Sequence, residues 1–129
     1  MVKEPIHSMK DYIKLSSDKK FGSVSVRFYI SQEKPLEVGR KMQEINEQAI
    51  MTGHNWEALL NYYLDAHHPD VSAGMGSDPD NKNYVAYYKL TPENEKKAEK
   101  LAQILEDLVE NESTLYDVVK NNGDEIDWD

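Results

Sequence analysis

A strict alternation of apolar and polar side chains near residue 25 constrains the fold of this chain more than any other feature. The apolar positions share one face of an extended backbone and comprise Val24, Val26, Phe28 and Ile30. The polar positions share the other face and comprise Ser23, Ser25, Arg27 and Tyr29. A period of two residues is typical of a strand with one buried face. We therefore predict a strand over Phe21–Ile30, with Met9–Leu15 as its antiparallel neighbour.

Two segments after this strand show the spacing of amphipathic helices. Pro35 suits the first turn of one helix, whose apolar stripe is Val38, Met42, Ile45 and Ala49, with Gly53 marking its end. Asn55 is a candidate N-cap for the next. The apolar stripe of that second helix is Trp56, Leu59, Leu60, Tyr63 and Leu64. Trp56 lies on this stripe, so we predict that it is a core residue.

The second half of the chain repeats the order of strand and helix. Residues 69–83 are rich in Gly, Pro, Asp and Asn and are predicted as loop, whereas Tyr84–Leu90 reads as a strand. Thr91 and Pro92 are a cap and a first-turn proline for a long helix. Its apolar positions are Ala98, Leu101, Ala102, Leu105, Leu108 and Val109. Ser113 is a candidate cap for a short last helix that ends before Gly123.

This order of elements predicts the fold class. Strands that alternate with helices in this way favour an α+β two-layer sandwich, a mainly antiparallel sheet with the helices packed on one face. A length of 129 residues is typical of a single domain, 1–129, which here carries an acidic C-terminal tail at 123–129. The chain has no cysteine and no apolar run approaching the length that spans a bilayer, so we expect a cytoplasmic protein without membrane contact.

Negative charge is concentrated at the end of the chain. Residues 106–129 carry nine acidic side chains and one basic one, within a protein whose net charge is −9. Such a surface repels nucleic acid and attracts a basic protein. Ile126 and Trp128 lie among the acids and suit the apolar anchors of a protein interface. The alternatives are that the tail is a solvated end, or that Trp128 packs back on the sheet.

These charges give a set of candidate partner-binding residues. The first group lies in the tail and comprises Asp124, Glu125, Ile126, Asp127, Trp128 and Asp129. The second lies in the preceding loop and comprises Asp70, Asp78 and Asp80.

Patterns for catalysis, metals or cofactors are weak in this chain. His67, His68 and Asp70 match no familiar spacing of metal ligands. Asp78–Asn83 fails as a calcium loop, because Lys82, Asn83 and Lys89 stand where a ligand, a glycine and a glutamate are needed. Gly74 and Gly76 are too few for a phosphate-binding loop. We therefore predict no enzymatic activity, no metal and no cofactor.

Three short blocks carry a resemblance to a known family. They are Gly53–Leu64 with Trp56 and Glu57, then Asp78 and Pro79, then Tyr84 followed by Val85, Ala86 and Tyr87. In this combination the chain resembles the immunity proteins of bacterial polymorphic toxin systems, specifically the family numbered fifty-one.

The resemblance implies a small cytosolic inhibitor that is made beside a toxin and binds the cognate toxin domain stoichiometrically. The acidic tail also resembles the ends of small regulators that inhibit ribonucleases. A non-catalytic regulator of another cytosolic protein and a small ligand-binding domain therefore remain as alternatives. The oligomeric state stays open.

Overall fold

The computed structural model describes residues 10–129, so Met9, at the start of the predicted first strand, lies outside them. Four strands form one antiparallel sheet. They are β1 (Ile13–Asp18), β2 (Ser23–Tyr29), β3 (Gly76–Pro79) and β4 (Asn83–Lys89), in the spatial order β1-β2-β4-β3. The predicted pairing of the first two strands is confirmed, with the first strand shifted toward the C-terminus.

The sheet buries one face, as the alternation in β2 predicts. Val24, Val26 and Phe28 are buried, and their partners across β4 are Tyr88, Ala86 and Tyr84. The opposite face carries Ser25, Arg27, Val85 and Tyr87, all partly or largely exposed. We call this second surface the open sheet face.

Five helices and one 3-10 turn accompany the sheet. They are α1 (Glu33–Ile45), α2 (Gly53–His67), α3 (Pro69–Ser72), α4 (Pro92–Glu110), α5 (Ser113–Asn121) and the turn Gly123–Glu125. α4 packs on β1, β2 and β4, and α2 packs on β3 and β4, while α1 and α5 pack on each other and on α4. The predicted α+β class, an antiparallel sheet with helices, is confirmed. No helix within residues 10–129 combines the length and apolar character needed to cross a membrane.

The first helix is shorter than its apolar stripe predicts. Val38 and Met42 are buried, but α1 ends at Ile45, whose side chain is 43% exposed. Ala49 is buried in the loop that follows. The reason is Asn46, whose Oδ1 accepts from the backbone N–H of Gln48 and whose Nδ2 donates to the carbonyl of Val119. These side-chain bonds compete with another helical turn.

The second helix begins earlier than predicted, and Asn55 is not its cap. Thr52 Oγ1 accepts from the N–H of Asn55 at 3.3 Å, and the helix starts at Gly53. Gly53 was predicted to end α1. It instead allows a close approach, because a Cβ there would collide with the carbonyls of Asp80 and Asn83. The start of α2 therefore sits against the turn between β3 and β4.

Two other boundaries also need correction. The predicted loop 69–83 contains α3 and the strand β3, whose register with β4 runs from Gly76–Tyr87 to Pro79–Tyr84. Proline and glycine are tolerated there because β3 is an edge strand. The cap of α5 is Glu112 rather than Ser113, which is the first helical residue.

The predictions for the long helix and for Trp56 agree with the structure. Thr91 caps α4 by accepting from the N–H of Asn94 at 3.0 Å, and Pro92 is its first residue. The predicted apolar positions of α4 are all buried. Trp56 is 1% exposed and belongs to the core, as predicted.

Candidate functional site

The C-terminal segment (residues 123–129) is folded against the body of the protein. Ile126 is 5% exposed and belongs to the hydrophobic core, so its side chain is not open to a partner in this structure. Trp128 is half-buried and packs against the same core. The segment starts at Gly123, which lies close to Asn46. A Cβ at residue 123 would collide with the side-chain amide of Asn46, so glycine allows this close approach.

Hydrogen bonds fix the course of this segment. Trp128 Nε1 donates to the carbonyl of Gly123 at 3.1 Å. The backbone N–H of Asp129 donates to Oδ1 of Asn55 at 2.6 Å, which ties the segment to the first turn of α2. Glu125 accepts from Asn122 Nδ2 at 2.7 Å and from the Tyr62 hydroxyl at 3.4 Å. The segment therefore lies alongside α2.

The segment and α2 together line a cleft of about 740 Å³. Its α2 wall carries His54, Glu57, Ala58, Asn61, Tyr62, Asp65 and Ala66, and its other wall carries Glu125, Asp127, Trp128 and Asp129. We call this feature the acidic cleft. Among the residues that the structure describes, five of the lining side chains are carboxylates and none is a lysine or an arginine.

Desolvation and charge both affect a tyrosine of the cleft. The pKa of the Tyr62 hydroxyl is raised, because the site is partly desolvated and because the carboxylate of Glu125 lies beside it. The carboxylate of Glu57 also has a partner, since it accepts a hydrogen bond from the Ser77 hydroxyl of β3. Glu57 therefore belongs both to the cleft and to the contact between α2 and the sheet.

The three aspartates predicted from the loop lie elsewhere. Lys100 Nζ contacts Asp70 Oδ2 at 3.0 Å, and its hydrogen bond lowers the pKa of that carboxyl. Asp80 Oδ1 accepts from the N–H groups of Lys82 and Asn83 at 2.8 Å each, and these bonds lower the Asp80 pKa. Asp78 is exposed on the open sheet face, paired in register with Val85. Asp70 and Asp80 thus have local structural contacts.

The candidate residues of the tail divide in a similar way. Asp127, Trp128, Asp129 and Glu125 line the acidic cleft, whereas Asp124 is exposed and does not line it.

His67 and His68 lie near Tyr63, with ring centroids at 4.6 Å and 6.0 Å from the centroid of the tyrosine ring. Within residues 10–129, no cluster of three or more His, Cys, Asp and Glu side chains could hold a metal ion.

The α2 wall was missed by the sequence analysis. Its polar positions, His54, Glu57, Asn61 and Asp65, recur every three or four residues on the side of α2 away from the apolar stripe. That spacing indicates that these four side chains share one face of the helix. Nothing in the pattern indicated which other part of the chain faces it.

The blocks that carry the family resemblance meet at one structural junction. Trp56 and Glu57 lie on α2, and the Ser77 hydroxyl of β3 donates to Glu57. Asp78 and Pro79 pair in register with Val85 and Tyr84. The residues of these blocks therefore hold α2 against the β3–β4 hairpin and position one wall of the acidic cleft.

Comparison with protein families gives one match. The model of the family described as Immunity protein 51 matches residues 13–124. The matched region contains all of α2 and stops within the C-terminal segment. No curated protein and no solved structure matches the chain.

Proposed function

This chain belongs to the Immunity protein 51 family, and from that premise we propose that it neutralises a cognate toxin domain by stoichiometric binding in the cytoplasm, without chemistry of its own. We propose further that the toxin presents a basic surface and that the acidic cleft receives it. Membership of the family supports a toxin-neutralising binding role in general. The cleft supports the finer statements about where and how the partner binds.

The observation that carries this proposal is the unbalanced charge of the cleft. Glu57 and Asp65 on α2 line the cleft together with Glu125, Asp127 and Asp129 on the C-terminal segment, and no lining residue within 10–129 is a lysine or an arginine. Like charges that converge in a concave surface focus the field toward an incoming cation. A basic partner relieves the repulsion on binding and also gains association rate, typically by about 10- to 1,000-fold at low salt.

The cleft also offers apolar surface for a specific contact. Trp128 and Tyr62 line it together with Ala58 and Ala66. The indole N–H of Trp128 is already bound to the carbonyl of Gly123, so the ring contributes mainly its faces. Aromatic faces attract the guanidinium of arginine, and aromatic residues dominate the energetics of many protein interfaces.

The test measures association with the cognate toxin domain, which the family resemblance implies is made beside this protein. A triple variant, Glu125→Gln, Asp127→Asn and Asp129→Asn, removes three charges from the cleft. The matched control, Glu44→Gln, Glu47→Gln and Glu99→Gln, removes three charges from exposed positions elsewhere. We expect the cleft variant to associate about tenfold more slowly at low salt and the control to change much less.

Three results would contradict the proposal in different ways. Equal slowing of both variants would mean that only the net charge attracts the toxin. Parental rates in both would place the interface elsewhere, and the open sheet face around Asp78 and Tyr87 would be the next surface to test. Neutralisation of the toxin at a ratio far below one to one would contradict stoichiometric binding.

A further inference from the structure

We infer that Asn55 is a positioning residue, which holds the C-terminal segment in place as one wall of the acidic cleft. Asn55 is 3% exposed, and apart from the tyrosines only one other polar or charged residue of the described chain, Glu106, is buried. The Asn55 side chain uses both ends of its amide. Nδ2 donates to the carbonyl of Ile50 at 2.8 Å, and Oδ1 accepts from the N–H of Asp129 at 2.6 Å.

These two partners fix the orientation of the amide. The carbonyl of Ile50 can only accept and the N–H of Asp129 can only donate, so the reverse orientation would break both bonds. A leucine of similar size would satisfy neither partner, and an aspartate would satisfy only one. Burying an amide is favourable only when its groups are paired, which requires the loop before α2 and the C-terminal segment to stay together.

The segment needs such a restraint because its charges oppose its position. Glu125, Asp127 and Asp129 line the same cleft as Glu57 and Asp65, and like charges repel. Ile126 and Trp128 hold the middle of the segment through apolar packing. The bond to Asn55 holds residue 129, beyond both of those contacts.

A restrained wall also affects binding, if the cleft is the toxin site proposed above. A flexible segment must lose conformational freedom when the toxin binds, whereas a segment that is already fixed loses little. Asn55 would then influence toxin affinity without touching the toxin. This consequence rests on the proposed function, but the restraint itself does not.

The first experiment measures backbone order in the free protein by ¹⁵N relaxation. Asp129→Pro removes the donating N–H, and Asp129→Asn is its matched control, since both lose the charge but only proline lacks the N–H. We expect order parameters at residues 127 and 128 to fall from about 0.85 toward 0.6 or below in the proline variant. The asparagine variant should keep the parental values. Parental order in both variants would overturn the inference.

A second pair of variants tests the other end of the bond. Asn55→Leu should loosen residues 127–129 in the same way. Thr52→Val removes the side-chain cap of the same helix and weakens its start, but should leave the segment ordered. If Thr52→Val loosens the segment as much as Asn55→Leu does, general destabilisation is the cause and the positioning role is wrong. Failure of Asn55→Leu to fold leaves the Asp129 pair to decide.

Toxin binding then separates this inference from the proposed function. We expect Asn55→Leu to bind the cognate toxin domain about threefold to tenfold more weakly, because the loosened segment must lose conformational freedom on binding. A loosened segment with unchanged toxin affinity would uphold the positioning role and contradict the cleft as the binding site. An ordered segment in Asn55→Leu would overturn the positioning role whatever the affinity.

Discussion

The indole ring of Trp56 meets the phenyl ring of Phe28 edge-on, with ring centroids 4.8 Å apart and an angle of 86° between the planes. This contact joins α2 to the centre of the sheet. Edge-to-face pairs of this kind add about 0.5–1.5 kcal/mol to the stabilisation that comes from burial. The same helix carries one wall of the acidic cleft on its other side, so this pair helps to set the position of the site.

Replacing Trp56 should therefore destabilise the whole fold. We expect Trp56→Ala to lower the free energy of unfolding by about 3–5 kcal/mol, because it removes a fully buried ring and leaves a cavity. Chemical denaturation followed by circular dichroism measures this. Trp128→Ala is the comparison, with a smaller loss because Trp128 is only half-buried. A variant at Trp56 that melts like the parent but loses toxin binding would assign this residue to the interface.

Loss of the hydroxyl should change the free energy of unfolding differently for two buried tyrosines of β4. The Tyr88 hydroxyl donates to the carbonyl of Val71 at 2.7 Å, whereas the Tyr84 hydroxyl is buried with no hydrogen-bond partner among residues 10–129. Tyr88→Phe should lower the free energy of unfolding by about 1 kcal/mol, and Tyr84→Phe should leave it unchanged or raise it. Denaturant midpoints of the two variants measure the difference. Equal losses would show that the Tyr84 hydroxyl has a partner after all.

Gly53 should be the least replaceable glycine of the helices. Alanine favours a helix by about 1 kcal/mol over glycine, but at residue 53 its Cβ would collide with the carbonyls of Asp80 and Asn83. We expect Gly53→Ala to destabilise the protein by about 1–3 kcal/mol. In Gly39→Ala of α1, the new Cβ would lie 3.2 Å from Cβ of Met51, so the loss should be smaller. A stabilised Gly53→Ala variant would contradict the close approach of α2 to the hairpin.

Salt should separate the charged and apolar contributions of the C-terminal segment. Neutralising Asp124, Glu125, Asp127 and Asp129 together should slow toxin association at low salt. That deficit should fade as the Debye length falls from about 10 Å at 0.1 M to about 3 Å at 1 M. Trp128→Ala should instead raise the dissociation rate at every salt concentration, because it removes a packed ring. Stopped-flow fluorescence measures both rates, and a charge deficit that persists at 1 M salt would contradict the electrostatic explanation.

Patterns within short stretches of sequence correctly predicted the elements that depend mainly on interactions between neighbouring residues. The alternation around Val24 predicted the buried face of β2, and Thr91 with Pro92 predicted the first turn of α4. Errors occurred where a partner distant in sequence decides the outcome. Asn46 ends α1 by donating to Val119, and β3 is a strand because β4 pairs with it despite its poor intrinsic propensity.

The candidate site likewise has features that the sequence predicts and features that depend on contacts between distant residues. The sequence by itself determined that the chain ends in a dense run of carboxylates around Ile126 and Trp128, because charge and hydropathy are properties of each residue. Only the tertiary structure decided that Ile126 is buried, that Trp128 lines a cleft, and that Asp70 and Asp80 lie apart from it. Asn55 illustrates the reason. As a residue type it suits a helix cap, but its hydrogen-bond partner Asp129 is 74 positions away, and no local pattern records a contact that exists only after the chain has packed.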